Sequence, residues 1–385
     1  MTAASTSISI NKNQKNNRSH RKIGSLLNIA GIAINGDRPW DIQIHNPEVF
    51  SRILAQGALG LGESYMDEWW SCEEIDSFVQ KLYEANLPAC LTNRIDCAQF
   101  LAALLLNPQS GSRAFDVGKH HYDIGNDLYQ AMLGERMIYS CGYWKTAGNL
   151  DQAQEAKLDL VCRKLFLEPG MRVLDIGCGW GGAARFAAER YRVEVVGVTV
   201  SEQQANVARQ VCEALPITIQ LHDYKEIEGR FDRIFSLGMF EHVGFKNYSA
   251  YMRFVADHLE PEGMFLLHTV GANYTDRIGN SWVEKYIFPN SMLPSITQIG
   301  KATENLLVME DWQNFGPDYA KTLIAWFRNF EAGWPRLKNQ YDQRFYRMWK
   351  YYLLSFAGAF KARENQLWQI VFSRKGRRLR YDAPR

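Results

Sequence analysis

The run Val173-Leu174-Asp175-Ile176-Gly177-Cys178-Gly179-Trp180-Gly181-Gly182 constrains this chain more than any other stretch. It reads as a buried strand, Arg172 to Ile176, then a glycine-rich turn, then a helix from about Trp180. Glycine tolerates positive φ and lets the backbone approach a ligand closely. The helix N-terminus beyond it offers unbonded N–H groups. Gly177, Gly179 and Gly182 satisfy G-x-G-x-x-G, a pattern that by itself also fits a plain tight βα turn. Asp175 adds the information. Dinucleotide folds place their ribose-binding acid at the end of the second strand. Here the second strand, Glu194–Val200, ends in Thr199-Val200-Ser201 and offers no acid. That combination favours S-adenosylmethionine over a nicotinamide dinucleotide.

Around this turn, strand and helix patterns alternate. Strands are expected at 193–200, 217–222, 231–237 and 263–270, with helices at about 202–213 and 246–259 between them. Two more strands are expected near 305–311 and 366–374, separated by long helices at 317–333 and 339–360. The fold class is therefore α/β, a mostly parallel sheet covered on both faces, with a small, mainly helical N-terminal domain ahead of it. In the helix at 317–333, Leu323, Trp326, Phe327, Phe330 and Trp334 share one apolar face. Such a stripe is ordinarily core; it also suits the wall of a lipid-chain tunnel.

Four segments follow from composition. Residues 1–22 hold Lys12, Lys15, Arg18, Arg21 and Lys22 and no acid, and read as a disordered basic tail. A small domain spans 23–106. In it, Ile32–Ile34, Asn35-Gly36 and Ile42–Ile44 suggest a hairpin, Pro47–Trp70 a helix interrupted at Gly57–Gly62, and Leu82–Leu106 a broken helix. Asn107–Arg113 is a linker and 114–385 the main domain.

A net charge of +2 does not suggest a nucleic-acid partner. The basic ends (Arg374, Lys375, Arg377, Arg378, Arg380 and Arg385 against Asp382 in the tail) commonly serve as solubilising tails; they can also attract an anionic membrane surface, at about 1 kcal/mol per charge. No apolar run is long enough to span a bilayer, and no signal-peptide core is visible. The 7 cysteines lack C-x-x-C spacing, which points to reduced thiols and no zinc site. The expected location is cytoplasmic, peripherally associated with the inner face of the cell membrane.

From about Ile32 to Lys375 the chain resembles the cyclopropane-fatty-acyl-phospholipid synthases. The resemblance rests on Gly57–Asp67, His121–Asp127, Tyr139-Ser140-Cys141-Gly142-Tyr143-Trp144, the glycine-rich turn, Gly238–Gly244, Phe265–Thr269 and Tyr286–Asn290. The additional N-terminal domain is similar to that of the bacterial, phospholipid-acting branch. The resemblance implies methylene transfer from S-adenosylmethionine to the cis double bond of an unsaturated phospholipid chain, with a carbocation that loses a proton as the ring closes. It implies a cofactor site at Tyr139, Ser140, Asp175, Gly177, Gly179, Gly181, Thr199, Gln204, Asp223 and Tyr224. It further implies a bicarbonate ion as the base, held by Cys141, Glu241, His268 and Tyr319 with a main-chain N–H near Val270. Glu241 would accept from the protonated oxygen of that ion. Homodimers and a lipid-handling N-terminal domain are implied likewise.

Each residue also has a plain structural reading. Cys141 suits a small buried apolar position, His268 a satisfied core histidine, Glu241 a turn cap, and Asp223 a turn residue. Glu241 and His268 both fall at ends of expected parallel strands, on the ligand side of the sheet, which favours the site. Some relatives carry a cysteine just before Ala357-Gly358-Ala359-Phe360; this chain has Phe356 there, so no nucleophile at that position is required. Two other functions fit parts of the pattern: an amine N-methyltransferase on the same core, and a non-catalytic lipid-binding protein.

Overall fold

The computed structural model describes residues 18–87, 125–275, 279–378 and 380–385. The linker at 107–113 and the motif residues His121–Ile124 lie outside the described residues. The chain divides into two compact units, one of residues 1–106, 278–287 and 338–364, the other of 107–277, 288–337 and 365–385.

The smaller unit corrects three expectations. Residues 18–22, assigned to the disordered tail, belong to a helix at 18–29. Ser19, Ile23 and Leu27 give that helix a buried stripe at spacings of four. The hairpin does not form. Ile34 and Ile42 meet in an isolated parallel bridge, and strand β1 (Gln43–Ile44) pairs antiparallel with β2 (Trp70–Ser71) instead. The Asp41 carboxylate takes the N–H groups of Ala33 and Arg38, and the Asn35 side chain takes that of Ile44. Those side-chain bonds replace the ladder a hairpin would need. Finally, segments 278–287 and 338–364, expected in the main domain, pack with the smaller unit.

The packing shows why. Helix α1 (Val49–Met66) is interrupted only at Gly57, where φ is 58° and ψ −129°. Further along, Gly62 lies against the indole of Trp282, where any Cβ would collide. Glu63, one residue on, accepts from Arg52 at 2.6 Å, Lys285 at 2.6 Å and Tyr286 at 2.8 Å. Helix α2 (Ile75–Glu84) meets the helix Gln343–Lys361 where Gly358 leaves no room for a side chain against the Asp76 carbonyl. Phe356 lies on the same helix, its ring edge-on to Tyr352.

The larger unit begins, among the described residues, with α3 (Asn126–Leu133) and α4 (Leu150–Lys164). Strand β3 (Arg172–Ile176) follows, then α5 (Gly182–Tyr191), β4 (Glu194–Thr199), α6 (Glu202–Cys212), β5 (Ile217–Leu221), β6 (Phe231–Leu237) and α7 (Tyr248–His258). The chain continues through β7 (Leu259–Ala272), α8 (Ile296–Thr303), β8 (Leu307–Asn314), α9 (Gly316–Leu337) and β9 (Asn365–Arg374). The sheet has seven strands in the order β5-β4-β3-β6-β7-β9-β8. Strands β3 to β7 are parallel, whereas β9 runs antiparallel to both β7 and β8. Apolar side chains fill both faces. Leu174, Ile176, Ile234, Phe265 and Leu267 point into one layer, and Val173, Val195, Phe235, Met264 and Leu266 into the other. This alternation is the signature of parallel strands covered on both sides. Leu323, Trp326 and Phe330 of α9 are fully buried.

Candidate active site

The pocket lies at the carboxyl ends of β3, β4, β5 and β6, where the strand order reverses and open α/β sheets bind ligands. The glycine-rich turn forms its floor. The N–H groups of Gly177 and Cys178 both reach the Val198 carbonyl, at 2.9 and 3.0 Å, folding the turn back onto β4. Gly177 and Gly179 have φ of 84° and 54°, and a Cβ at Gly179 would meet nothing within 4 Å, so that side is open. Gly181 is different. It does not line the pocket; its missing Cβ lets α5 approach Ala208 and Cys212 of α6, 3.1 Å from an added Cβ. Its glycine, at a φ of 85°, serves helix packing.

Tyr139, Ser140, Asp175, Thr199, Gln204, Asp223 and Tyr224 all line the pocket. Thr199 donates to Gln204 Oε1 at 2.9 Å, fixing the two at the end of β4. Asp223 caps the turn Tyr224–Glu226 by accepting from Lys225 N at 3.1 Å. The Tyr224 ring stands edge-on to Tyr251 and Phe254. Asp175 is 1% exposed and its Oδ2 has no hydrogen-bond partner among the described residues. Burial pushes its carboxyl up to about 8, against the pull of Lys157.

Beyond the glycine turn are the residues expected to act on the acceptor. Glu241 sits in the turn after β6, its Oε1 accepting from Val270 N at 2.6 Å. The Val270 N–H is therefore committed to Glu241. Glu241 Oε2 is buried without a hydrogen-bond partner among the described residues, and burial raises this carboxyl to about 7. His268 is not at a strand end. Strand β7 runs on to Ala272, because β9 pairs with it as far as Ala272–Asn365. It is instead the last β7 residue paired with β6, opposite Leu237. Gln369, its cross-strand neighbour, sets its Nε2 3.4 Å from His268 Nδ1. With the amide nitrogen assigned to that side, Nδ1 is the acceptor and the proton of the neutral ring falls to Nε2. That Nε2 is buried and unpartnered among the described residues. Burial drives the imidazole pKa well below its usual value, leaving the ring neutral.

Cys141 and Tyr319 both reach the Phe315 carbonyl at the head of α9. The Cys141 thiol points to the Gly142 and Phe315 carbonyls, at 3.1 and 4.0 Å, and burial holds it well above its ordinary pKa. Tyr319 N bonds the Phe315 carbonyl at 3.2 Å, and its ring stands edge-on to Trp326. Phe315 N in turn reaches the Leu367 carbonyl at 2.7 Å, and Leu367 pairs with Val270. Backbone bonds at Phe315, the β7–β9 pairing and the side-chain contacts of Cys141 and Glu241 thus connect Tyr319 and Cys141 to the strand that carries His268.

The model of the mycolic acid cyclopropane synthetase family matches residues 109–370 of this chain. The chain belongs to that family. It is 54% identical over 356 residues to the cyclopropane-fatty-acyl-phospholipid synthase of Escherichia coli (strain K12), covering 92% of this chain and 93% of that protein. Among solved structures of the family, the mycolic acid cyclopropane synthase CmaA1 complexed with SAH and CTAB superposes with a TM-score of 0.64. It is 30% identical, over 68% of this chain and 98% of that one. Coclaurine N-methyltransferase, bound to N-methylheliamine and SAH, also reaches 0.64 at 20% identity, over 81% of this chain and 97% of that one. That likeness shows the shared methyltransferase fold alone.

Three site residues escape sequence reading even with the family in hand. Gln369 is the one polar residue in the run Leu367–Phe372 at the centre of β9. Gln154 and Lys157 of α4 are 2% and 1% exposed beneath the site. In sequence a lysine on a helix reads as solvated.

Proposed function

We propose that this protein transfers a methylene group from S-adenosylmethionine to the cis double bond of an unsaturated phospholipid acyl chain. The observation that carries the reading is the pair Glu241 and His268, each with a buried polar atom that has no hydrogen-bond partner among the described residues, near a pocket at the sheet's switch point. S-adenosylmethionine supplies an activated methyl. In the overall balance, a methyl carbon bonds to one alkene carbon, the sulfonium leaves as S-adenosylhomocysteine, and one proton departs as the second carbon–carbon bond closes the ring.

The protein's residues meet three needs of that chemistry. Tyr139, packed 5.2 Å from Trp326, and Tyr319, 5.8 Å from it, form a water-poor aromatic wall. Ring faces ease positive charge by about 2 kcal/mol where water is excluded. His268 presents one N–H donor from a neutral ring, and Glu241 one carboxylate oxygen. A donor beside an acceptor suits a bicarbonate ion, which has both an anionic oxygen and an O–H. We read His268, Glu241, Tyr319 and Cys141 as the residues that would hold it, where it would supply the base. With Val270 N–H given to Glu241, the main-chain contribution passes through Glu241 instead. Glu241, raised to about 7, is suited to passing a proton onward near neutral pH.

The lipid reading extends to the surface. Arg18, Arg21, Lys22 and Ile29 are exposed on the helix 18–29, cations beside an apolar side chain. They support peripheral contact with an anionic bilayer face from the cytoplasmic side, with the smaller unit handling lipid; a homodimer is carried over from the resemblance alone. Among the described residues no helix is long and apolar enough to cross a membrane.

The test is incubation with S-adenosylmethionine and vesicles of cis-unsaturated phospholipid, followed by mass spectrometry. Chains that gain one methylene and lose their double bond support the proposal. Methyl transfer to a soluble amine with unchanged lipid would replace it with the amine reading.

A further inference from the structure

Residues 137–145 form neither helix nor strand, yet they carry Tyr139 and Ser140 on the pocket wall and Cys141 next to the head of α9. A segment without a ladder must satisfy its backbone in other ways. Gly142 N donates to Thr322 Oγ1 at 3.0 Å and Trp144 N to Asp318 Oδ1 at 3.0 Å, both on α9. On the opposite side, α4 holds Ser140 twice. Gln154 Nε2 donates to the Ser140 carbonyl at 2.8 Å, and Lys157 Nζ donates to the Ser140 hydroxyl at 2.9 Å. A spacing of three places both donors on one helix face.

We propose that Gln154 and Lys157 are positioning residues, a two-point clamp that fixes Ser140 and thereby sets Ser140 and Tyr139 for methyl-donor binding. The proposal rests on reading the pocket as the S-adenosylmethionine site. What marks Lys157 is its burial. Taking an ammonium out of water is expensive, and a methionine of similar length would fill the same space at no such penalty. Burial lowers Lys157 to about 7, with Cys141 and Asp175 drawing it up, and it also acts on His268. It lies beneath the cofactor wall and the acceptor residues together. A residue that opposes stability at such a junction is expected where function requires it.

The experiment is calorimetric titration of the full chain with S-adenosylhomocysteine, with melting temperatures and KM values for both substrates. Lys157→Met and Gln154→Met should each weaken binding about tenfold or more, as displaced site groups do. KM for S-adenosylmethionine should rise while KM for phospholipid vesicles holds. Melting of Lys157→Met should stay level or rise. Since both act through Ser140, the double variant should bind no more weakly than the worse single one, rather than additively. Affinity within about twofold of the unaltered chain, or a lowered melting temperature with binding retained, overturns the clamp in favour of a purely structural role. Should Lys157→Met not fold, Gln154→Met decides the question alone. If the unaltered chain itself fails to bind S-adenosylhomocysteine, the pocket reading falls first.

Discussion

Glu241 Oε1 accepts the backbone N–H of Val270 at 2.6 Å, two residues along β7 from His268. This bond holds one carboxylate oxygen, and the second is buried without a hydrogen-bond partner among the described residues. Neither Glu241 nor His268 lines the pocket that holds the glycine turn, so the roles proposed for them are separate from methyl-donor binding.

Glu241→Gln and His268→Gln should therefore each lower kcat by about a hundredfold or more, the usual scale for a lost acid–base group. Affinity for S-adenosylhomocysteine should stay close to that of the unaltered chain. Steady-state assays paired with calorimetry check both halves; a matching loss of affinity would contradict the assignment.

Glu241 also carries a stability signature. Its folded pKa of about 7 lies above the usual value of 4.5 because burial disfavours the charged form. A raised carboxyl costs nothing below 4.5, and the cost grows between 4.5 and 7 as the folded protein holds a proton that the unfolded chain has lost. Above that window the penalty is complete, about 3 kcal/mol at most. Glu241→Gln should accordingly gain stability relative to the unaltered chain as pH rises from 5 to 8, read by denaturant titration.

In the smaller unit the sign reverses at Glu63. Burial alone would raise this carboxyl, but hydrogen bonds from Lys285, Tyr286 and Arg52 outweigh it and hold the pKa at about 2. The stabilisation is present above 4.5 and disappears as pH falls through about 2. Glu63→Gln should cost about 2 kcal/mol at neutral pH, discounted because Lys285 is half exposed, and little near pH 2. Melting curves across that range test it.

Gly177→Ala meets two obstacles, a φ of 84° and a Cβ placed 2.8 Å from that of Met239. A loss of about 1–3 kcal/mol in stability, with weaker S-adenosylhomocysteine binding, is expected from denaturant titration and calorimetry. Gly179→Ala shares the backbone strain but meets no neighbour, so its binding defect should come without comparable loss of packing.

How much of this was legible beforehand differs by element. The bounds of β3 and the course of β4 to β6 follow from apolar runs between turn residues, and local sequence suffices for them. His268 was placed at a strand end because its apolar run stops there; the strand continues only because β9, almost a hundred residues later, pairs beyond it. Segments 278–287 and 338–364 carry ordinary amphipathic patterns, and a pattern of that kind does not say which partner will cover it. Trp282 finds its place against Gly62, a pairing that exists only in three dimensions. Lys157 was invisible for a simpler reason: nothing in its neighbours distinguishes a buried lysine from a solvated one.

The position of β9 between β7 and β8 has a consequence for how the molecule is made. Until residues 365–374 arrive, β7 and β8 each present an unpaired edge, and Gln369 is not there to set the tautomer of His268. The site is therefore assembled last, by the strand most distant in sequence from the glycine turn. Long-range pairing of this kind slows folding and leaves sticky edges exposed meanwhile. The chain should be most vulnerable to aggregation when it is nearly complete and not yet closed.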